Sequence, residues 1–155
     1  MRYTVTKKYH AISVGHRLHT ADTHCALLHG YGRTVEVTFG CDHLDKNGWV
    51  FDFGGLRSFK SFLDTSWDHK FLIASDDPLL EDFKALEKKG AMALTIMDKS
   101  KGHGPGIEGS CLFLADFLGP EIQKISRGRA HLLKVEIWEK EENRAALTLI
   151  PFEFR

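Results

Sequence analysis

The order of periodic segments predicts an α+β domain, with strand, strand, helices, strand and strand following one another. Three observations carry this. Residues 33–40 alternate Val35, Val37 and Phe39 with Thr34, Glu36 and Thr38, the period of a half-buried strand. The middle of the chain sets apolar residues at helical spacing three times. The last quarter returns to strand-like alternation in residues 131–139. At 155 residues, with no repeat and no Pro/Ser linker, one domain over 1–155 is expected.

Each element has its own signal. Residues 3–14 form the antiparallel partner of 33–40. The connection 16–32 is long for a hairpin and holds four histidines, and long ordered loops are usually functional. After the turn pair Asn47-Gly48 comes a short apolar strand, 49–53. A helix over 55–66 places Leu56, Phe59, Phe62 and Leu63 on one face. Asp77-Pro78 opens a second helix, with Asp77 as N-cap and Pro78 in the first turn. Leu79, Leu80, Phe83 and Leu86 are its apolar stripe, and Gly90 ends it. Residues 91–97 are extended and 101–106 a loop. A third helix spans 107–124, carrying Leu112, Phe113, Phe117 and Ile122. Residues 131–139 and 145–154 close the chain as a hairpin. The result is a four-stranded antiparallel sheet backed by helices. Its two open edges make a symmetric oligomer the expectation.

Composition removes several classes of function. Twenty-one basic and 21 acidic residues give a formal net charge of zero, which argues against non-specific nucleic-acid binding. No apolar run is long enough to span a bilayer, so no membrane partner is expected. Residues 1–10 are polar and strand-like, without the apolar stretch of a signal peptide. Three cysteines at irregular spacing are not a disulfide framework, and a reducing cytoplasm is expected.

Nine histidines are unusual, and five of them (His10, His16, His19, His24, His29) lie in the first thirty residues. If His29 begins the strand, His29 and Tyr31 share a face, and His16 from the partner strand could meet them. Two imidazoles and a phenol are a sparse zinc set, so spacing alone favours a polar pocket without metal. Cys25 is a candidate nucleophile or proton carrier, although a lone cysteine is most often a small buried hydrophobe. Asp68-His69 has the composition of a general-base relay, or of a helix-ending loop with a surface histidine. Glu139 shares the parity of Val135 and Ile137, and a carboxylate on an apolar face needs a partner. It also begins the charge run 140–143. Glu108 stands where the dipole of a helix favours an acid.

The order of these landmarks resembles the 6-pyruvoyltetrahydropterin synthase / 6-carboxytetrahydropterin synthase family. The series is Ile12-Ser13-Val14-Gly15-His16, Cys25 with His29-Gly30-Tyr31, and Gly48-Trp49-Val50-Phe51-Asp52-Phe53. It continues with Asp68-His69, Pro105-Gly106-Ile107-Glu108-Gly109 and Val135-Glu136-Ile137-Trp138-Glu139. The resemblance implies the tunnelling fold (T-fold), with sheets of several subunits joined into a barrel as a homotrimer or homohexamer. It implies a lyase acting on 7,8-dihydroneopterin triphosphate. It assigns zinc to His16, His29 and the position of Tyr31, proton transfer to Cys25 with Asp68 and His69, and pterin binding to Glu139 with Glu108. Three residues between Cys25 and His29 are similar to the bacterial 6-carboxytetrahydropterin branch, which serves 7-deazapurine (queuosine) synthesis. The departures are Tyr31 for the third zinc histidine, and Gly106 and Gly109 for the Thr and Asn of the helix motif. Residues 76–97 look inserted. Tyr31, His19, His24 or nothing supplies the third ligand. The alternative is a pterin- or purine-binding paralogue that has lost the synthase reaction.

Overall fold

The computed structural model describes residues 1–149. Its elements are β1 (Tyr3–His16), β2 (His29–Cys41), α1 (Arg57–Ser66), β3 (Lys70–Ala74), α2 (Leu80–Lys88), β4 (Leu94–Met97), α3 (Ile107–Ser126), β5 (His131–Trp138) and β6 (Arg144–Thr148). They form one six-stranded sheet in the order β4-β3-β1-β2-β5-β6. The four expected antiparallel strands are β1, β2, β5 and β6. Two further strands widen the sheet, because β3 runs parallel to β1 and β4 parallel to β3. Residues 76–97 thus supply α2 and the outer strand β4.

β3 carries no alternation, since Phe71, Leu72, Ile73 and Ala74 are all buried. A strand covered on both faces reads as a continuous apolar run. Residues 49–53 do not pair as a strand. Val50 and Phe51 are buried, with Phe51 edge-on to Phe39 at 4.9 Å, but the chain enters a 3₁₀ turn at Phe53–Leu56. The Asp52 carboxylate accepts from the Gly54 N–H (2.8 Å) and starts that turn. α1 therefore begins two residues later than the spacing predicts. α2 likewise begins at Leu80, because Asp77 caps a preceding turn by accepting from the Leu79 N–H (2.9 Å). Gly90 adopts φ +76° beyond its end. The last residues of the expected strand 145–154 lie outside the described residues.

The main core lies between the sheet and helices α1 and α3. Val35, Val37, Phe39, Val135 and Ile137 meet Phe59, Leu63, Leu114, Leu118 and Ile122. Each such side chain contributes about 1.5–3 kcal/mol by leaving water. A second cluster, Phe71, Ile73 and Phe83, packs β3 against α2.

Two backbone features aim the site. The β1–β2 register moves from Tyr9 opposite Val35 to Ile12 opposite Arg33, so β1 holds one extra residue there. Ala11 absorbs it at φ +58°. Such a bulge reverses which residues face inward. Tyr9 is inward before it, and Ile12, Val14 and His16 after it. Without the bulge, His16 would face out. On β2 one row holds Phe39, Val37, Val35, Arg33, Tyr31 and His29, so the apolar core row turns polar at Arg33. Gly30 lets the two strands close here, since a Cβ would stand 2.8 Å from the Val14 carbonyl oxygen.

Candidate functional site

His16 and His29 are direct partners across β1 and β2, with ring centroids 4.2 Å apart. Tyr31 closes the group at 6.0 Å from His16 and 5.7 Å from His29. His29 Nδ1 lies 2.7 Å from the Leu27 carbonyl oxygen. Donation to that carbonyl leaves Nε2 as the acceptor of the ring. His16 is 2% exposed. Burial first, then the Arg33 and His29 charges, lower its pKa to about 3, so it is neutral near pH 7.

Arg33 is the residue that sequence reasoning missed. Its guanidinium is fully buried. Nη2 donates to Glu139 Oε1 (3.1 Å) and to the Pro105 carbonyl (3.0 Å), and Nη1 donates to Ser110 Oγ (3.3 Å). Nη2 also lies 3.4 Å from both ring nitrogens of His16. The cation stands 5.6 Å from the centre of the Trp67 ring. Glu139 thus has the partner that its position on an apolar face requires. The signal was present: Arg33 shares parity with Val35 and Val37, in a row where a charge must have a reason.

In front of this group opens a cavity of about 400 Å³. Its lining includes His16, Cys25, His29, Tyr31, Glu108 and Glu139. Cys25 sits in a 3₁₀ turn whose first N–H groups are capped by Thr23, through a 3.3 Å bond from the Cys25 N–H to Thr23 Oγ1. Glu108 enters from the first turn of α3. Six of the eight residues singled out in the sequence therefore converge. The cavity can seat a flat heterocycle whose N–H groups reach carboxylates, with a thiol and a phenol beside it.

Asp68 and His69 do not line it. Asp68 Oδ1 accepts from the Ser13 N–H (2.9 Å), and Oδ2 lies 3.1 Å from His69 Nδ1. The Ser13 N–H, joined by His69 and opposed by burial, lowers the Asp68 pKa. His69, at φ +56°, presents a side chain that is 82% exposed. The pair is formed, but within one chain it is not beside Cys25. Asp68 faces a separate hollow against α1, with Tyr9 and Lys60.

His19 and His24 do not line the cavity. His19 Nδ1 lies 3.6 Å from Asp77 Oδ2, and His24 is exposed. His103 is 7% exposed, with Nε2 2.7 Å from Asp116 Oδ2.

The residues present do not fit the zinc implied by the resemblance. Among the described residues no three His, Cys, Asp or Glu side chains form a metal-holding group. A dication at ~2.1 Å from His16 Nε2 would lie within about 5.5 Å of Arg33 Nη2. Repulsion there is about 6 kcal/mol at an effective dielectric of 20. Glu139 offsets part of it, but its Oε1 already accepts from Arg33.

Residues 4–149 match the family model described as 6-pyruvoyl tetrahydropterin synthase. The chain is 31% identical over 123 residues to the 6-carboxy-5,6,7,8-tetrahydropterin synthase of Aquifex aeolicus, covering 78% of this chain and 74% of that one. A probable 6-carboxy-5,6,7,8-tetrahydropterin synthase of Halobacterium salinarum is 40% identical over 75 residues, 47% of this chain and 45% of that one. Among solved structures, an uncharacterized protein from Wolinella succinogenes superposes with TM-score 0.77 at 24% identity, covering 94% of this chain and 97% of that one. The 6-pyruvoyl tetrahydropterin synthase of Plasmodium vivax superposes with TM-score 0.59 at 16% identity, over 94% and 97%. The chain belongs to the 6-pyruvoyl tetrahydropterin synthase family and is a pterin synthase of that family, a lyase-type enzyme.

Proposed function

We propose that the substrate is 7,8-dihydroneopterin triphosphate and the reaction that of a 6-carboxytetrahydropterin synthase. One observation supports this most: Cys25, Glu108, Glu139, His29 and Tyr31 line a single cavity. The name carried by the Aquifex aeolicus relative supports the 6-carboxy branch, and with it a role in 7-deazapurine synthesis.

In this reading Glu139 and Glu108 accept hydrogen bonds from the amino and ring N–H groups of the pterin. Charge-assisted bonds of this kind are roughly twice as strong as neutral ones. Tyr31 and His29 meet the side-chain hydroxyls. Cys25 takes a proton from the carbon next to the one bearing triphosphate, and triphosphate leaves. For a 6-carboxy product the first side-chain carbon becomes a ketone by passing two electrons and two protons to the ring C6=N5 bond, which makes the ring a tetrahydropterin. Water then adds to that ketone, and its bond to the next carbon breaks. The first carbon stays as the carboxyl, and the other two depart as acetaldehyde. Arg144 lines the cavity, and Lys140 Nζ stands 5.5 Å from the Tyr31 ring centre, so the mouth carries cations suited to triphosphate.

Asp68 and His69 reach Cys25 from a second copy. The formed but exposed pair supports this, as do Leu27 and Leu28, 67% and 61% exposed beside Cys25. The working form is a homotrimer or homohexamer that closes the sheets into a barrel. No helix among the described residues is long and apolar enough to cross a membrane. The three free cysteines suit a cytoplasmic site of action.

Pterin binding is measured by fluorescence with 7,8-dihydroneopterin. Glu139→Gln should weaken it about 10- to 100-fold, since a hydrogen bond to a charged group is worth about 1.5–3 kcal/mol. Equal affinity in the two proteins would remove Glu139 from the site. Tight binding with no conversion would favour the paralogue that has lost the reaction.

A further inference from the structure

We propose that Arg33 is the resident cation of this site, standing where a divalent metal would otherwise supply positive charge. The inference rests on the pterin reading of the cavity but concerns what lies behind it. Three observations carry it.

The first is position. Arg33 follows His29 and Tyr31 on the inward row of β2, and its guanidinium stands against the His16 ring, which in turn neighbours both. The second is occupancy. Nη2 is 3.4 Å from Nδ1 and from Nε2 of His16, so a positive charge already stands against the ring that a metal would approach. The third is the set of things Arg33 joins. One guanidinium links β2, the Pro105 carbonyl before α3, Ser110 within α3, and Glu139 after β5. Those segments form the walls of the cavity.

Arg33 does not itself line the cavity, so it is a positioning residue. It fixes Oε1 of Glu139 and leaves Oε2 for a ligand. It places a permanent charge in a water-poor setting, where its field is weakly screened. Negative charge developing on a bound side chain would be met by the Tyr31 hydroxyl and His29, backed by that field. Tyr31 and Arg33 then belong together: a third imidazole would have little use beside a fixed cation.

The test is zinc content and affinity of the full-length protein, by elemental analysis and chelator competition, for wild type and three variants. Wild type should retain well under one zinc per chain after dialysis against a weak chelator. Tyr31→His alone should remain a weak binder, because the cation stays. Arg33→Met with Tyr31→His should bind about one zinc per chain, at least about 100-fold more tightly than Tyr31→His. Arg33→Lys with Tyr31→His should fall back to weak binding, which separates charge from packing. One tightly held zinc in wild type, or in Tyr31→His, would overturn the proposal. So would a folded Arg33→Met/Tyr31→His protein that binds no better than Tyr31→His. Should Arg33→Met fail to fold, the wild-type and Tyr31→His measurements still decide. Dihydroneopterin binding, followed in parallel, reports on the pterin reading separately: its loss with the zinc pattern intact would refute only that reading.

Discussion

Replacing Arg33 by methionine removes a buried cation and keeps an unbranched apolar side chain against Trp67. The structure fixes what is lost. Glu139 loses its 3.1 Å partner, and the Pro105 carbonyl loses a 3.0 Å donor. Breaking one side of a buried ion pair costs about 3–5 kcal/mol. Glu139 is 16% exposed, so some water reaches its carboxylate and the lower end applies, about 3 kcal/mol. For a chain of this size that is a drop of roughly 6–12 °C in Tm. The assay is urea unfolding at fixed protomer concentration, run as a double-mutant cycle with Glu139→Gln. Removing both charges should recover at least about 1.5 kcal/mol relative to the sum of the single changes. An Arg33→Met protein as stable as wild type, or a coupling below about 0.5 kcal/mol, would refute the pairing of these residues as the structural centre of the site.

Two further outcomes follow from the geometry. Folding holds the His16 pKa near 3 against an ordinary 6.5. Between those values the unfolded chain binds a proton that the folded chain refuses. His16 therefore contributes fully above pH 6.5, and the contribution is lost as pH falls toward 3, by up to about 1.4 kcal/mol per unit. His16→Asn should flatten the acid limb of stability between pH 6.5 and 5; an unchanged slope would place the titration elsewhere. Gly109 packs on the loop before α3, where a Cβ would stand 2.4 Å from the Gly104 nitrogen. Gly109→Ala should cost about 1–3 kcal/mol through backbone overpacking. Gly119, on the same helix with no atom near its Cβ position, should tolerate alanine or gain. Equal effects at the two glycines would contradict this.

Much of the site is written as parity. Strand period alone puts His29 with Tyr31, and Glu139 with Val135 and Ile137, and the structure brings all of these to their expected faces. The same arithmetic extended to Arg33 would have found the partner of Glu139. The orientation of His16 was not legible in this way, because the extra residue near Ala11 reverses parity and bulges leave no period. β3 was hidden for the opposite reason: a strand buried on both faces shows no alternation. Residues 49–53 have strand composition but gain burial without ladder partners. The mutual contact of Asp68 and His69 depends on the left-handed backbone at His69, which sequence neighbours do not announce. Gly109 is explained by the close approach of the Gly104 backbone.

Incubation of the wild-type protein and Cys25→Ala with 7,8-dihydroneopterin triphosphate, with products read by mass spectrometry, tests the central claim most directly. Cys25→Ala should leave the fold intact, since Cys25 is only half-buried in its turn. The wild type should release triphosphate and acetaldehyde and yield 6-carboxytetrahydropterin, while Cys25→Ala leaves the substrate unchanged. Intact substrate with the wild type, or equal conversion by Cys25→Ala, would contradict the account.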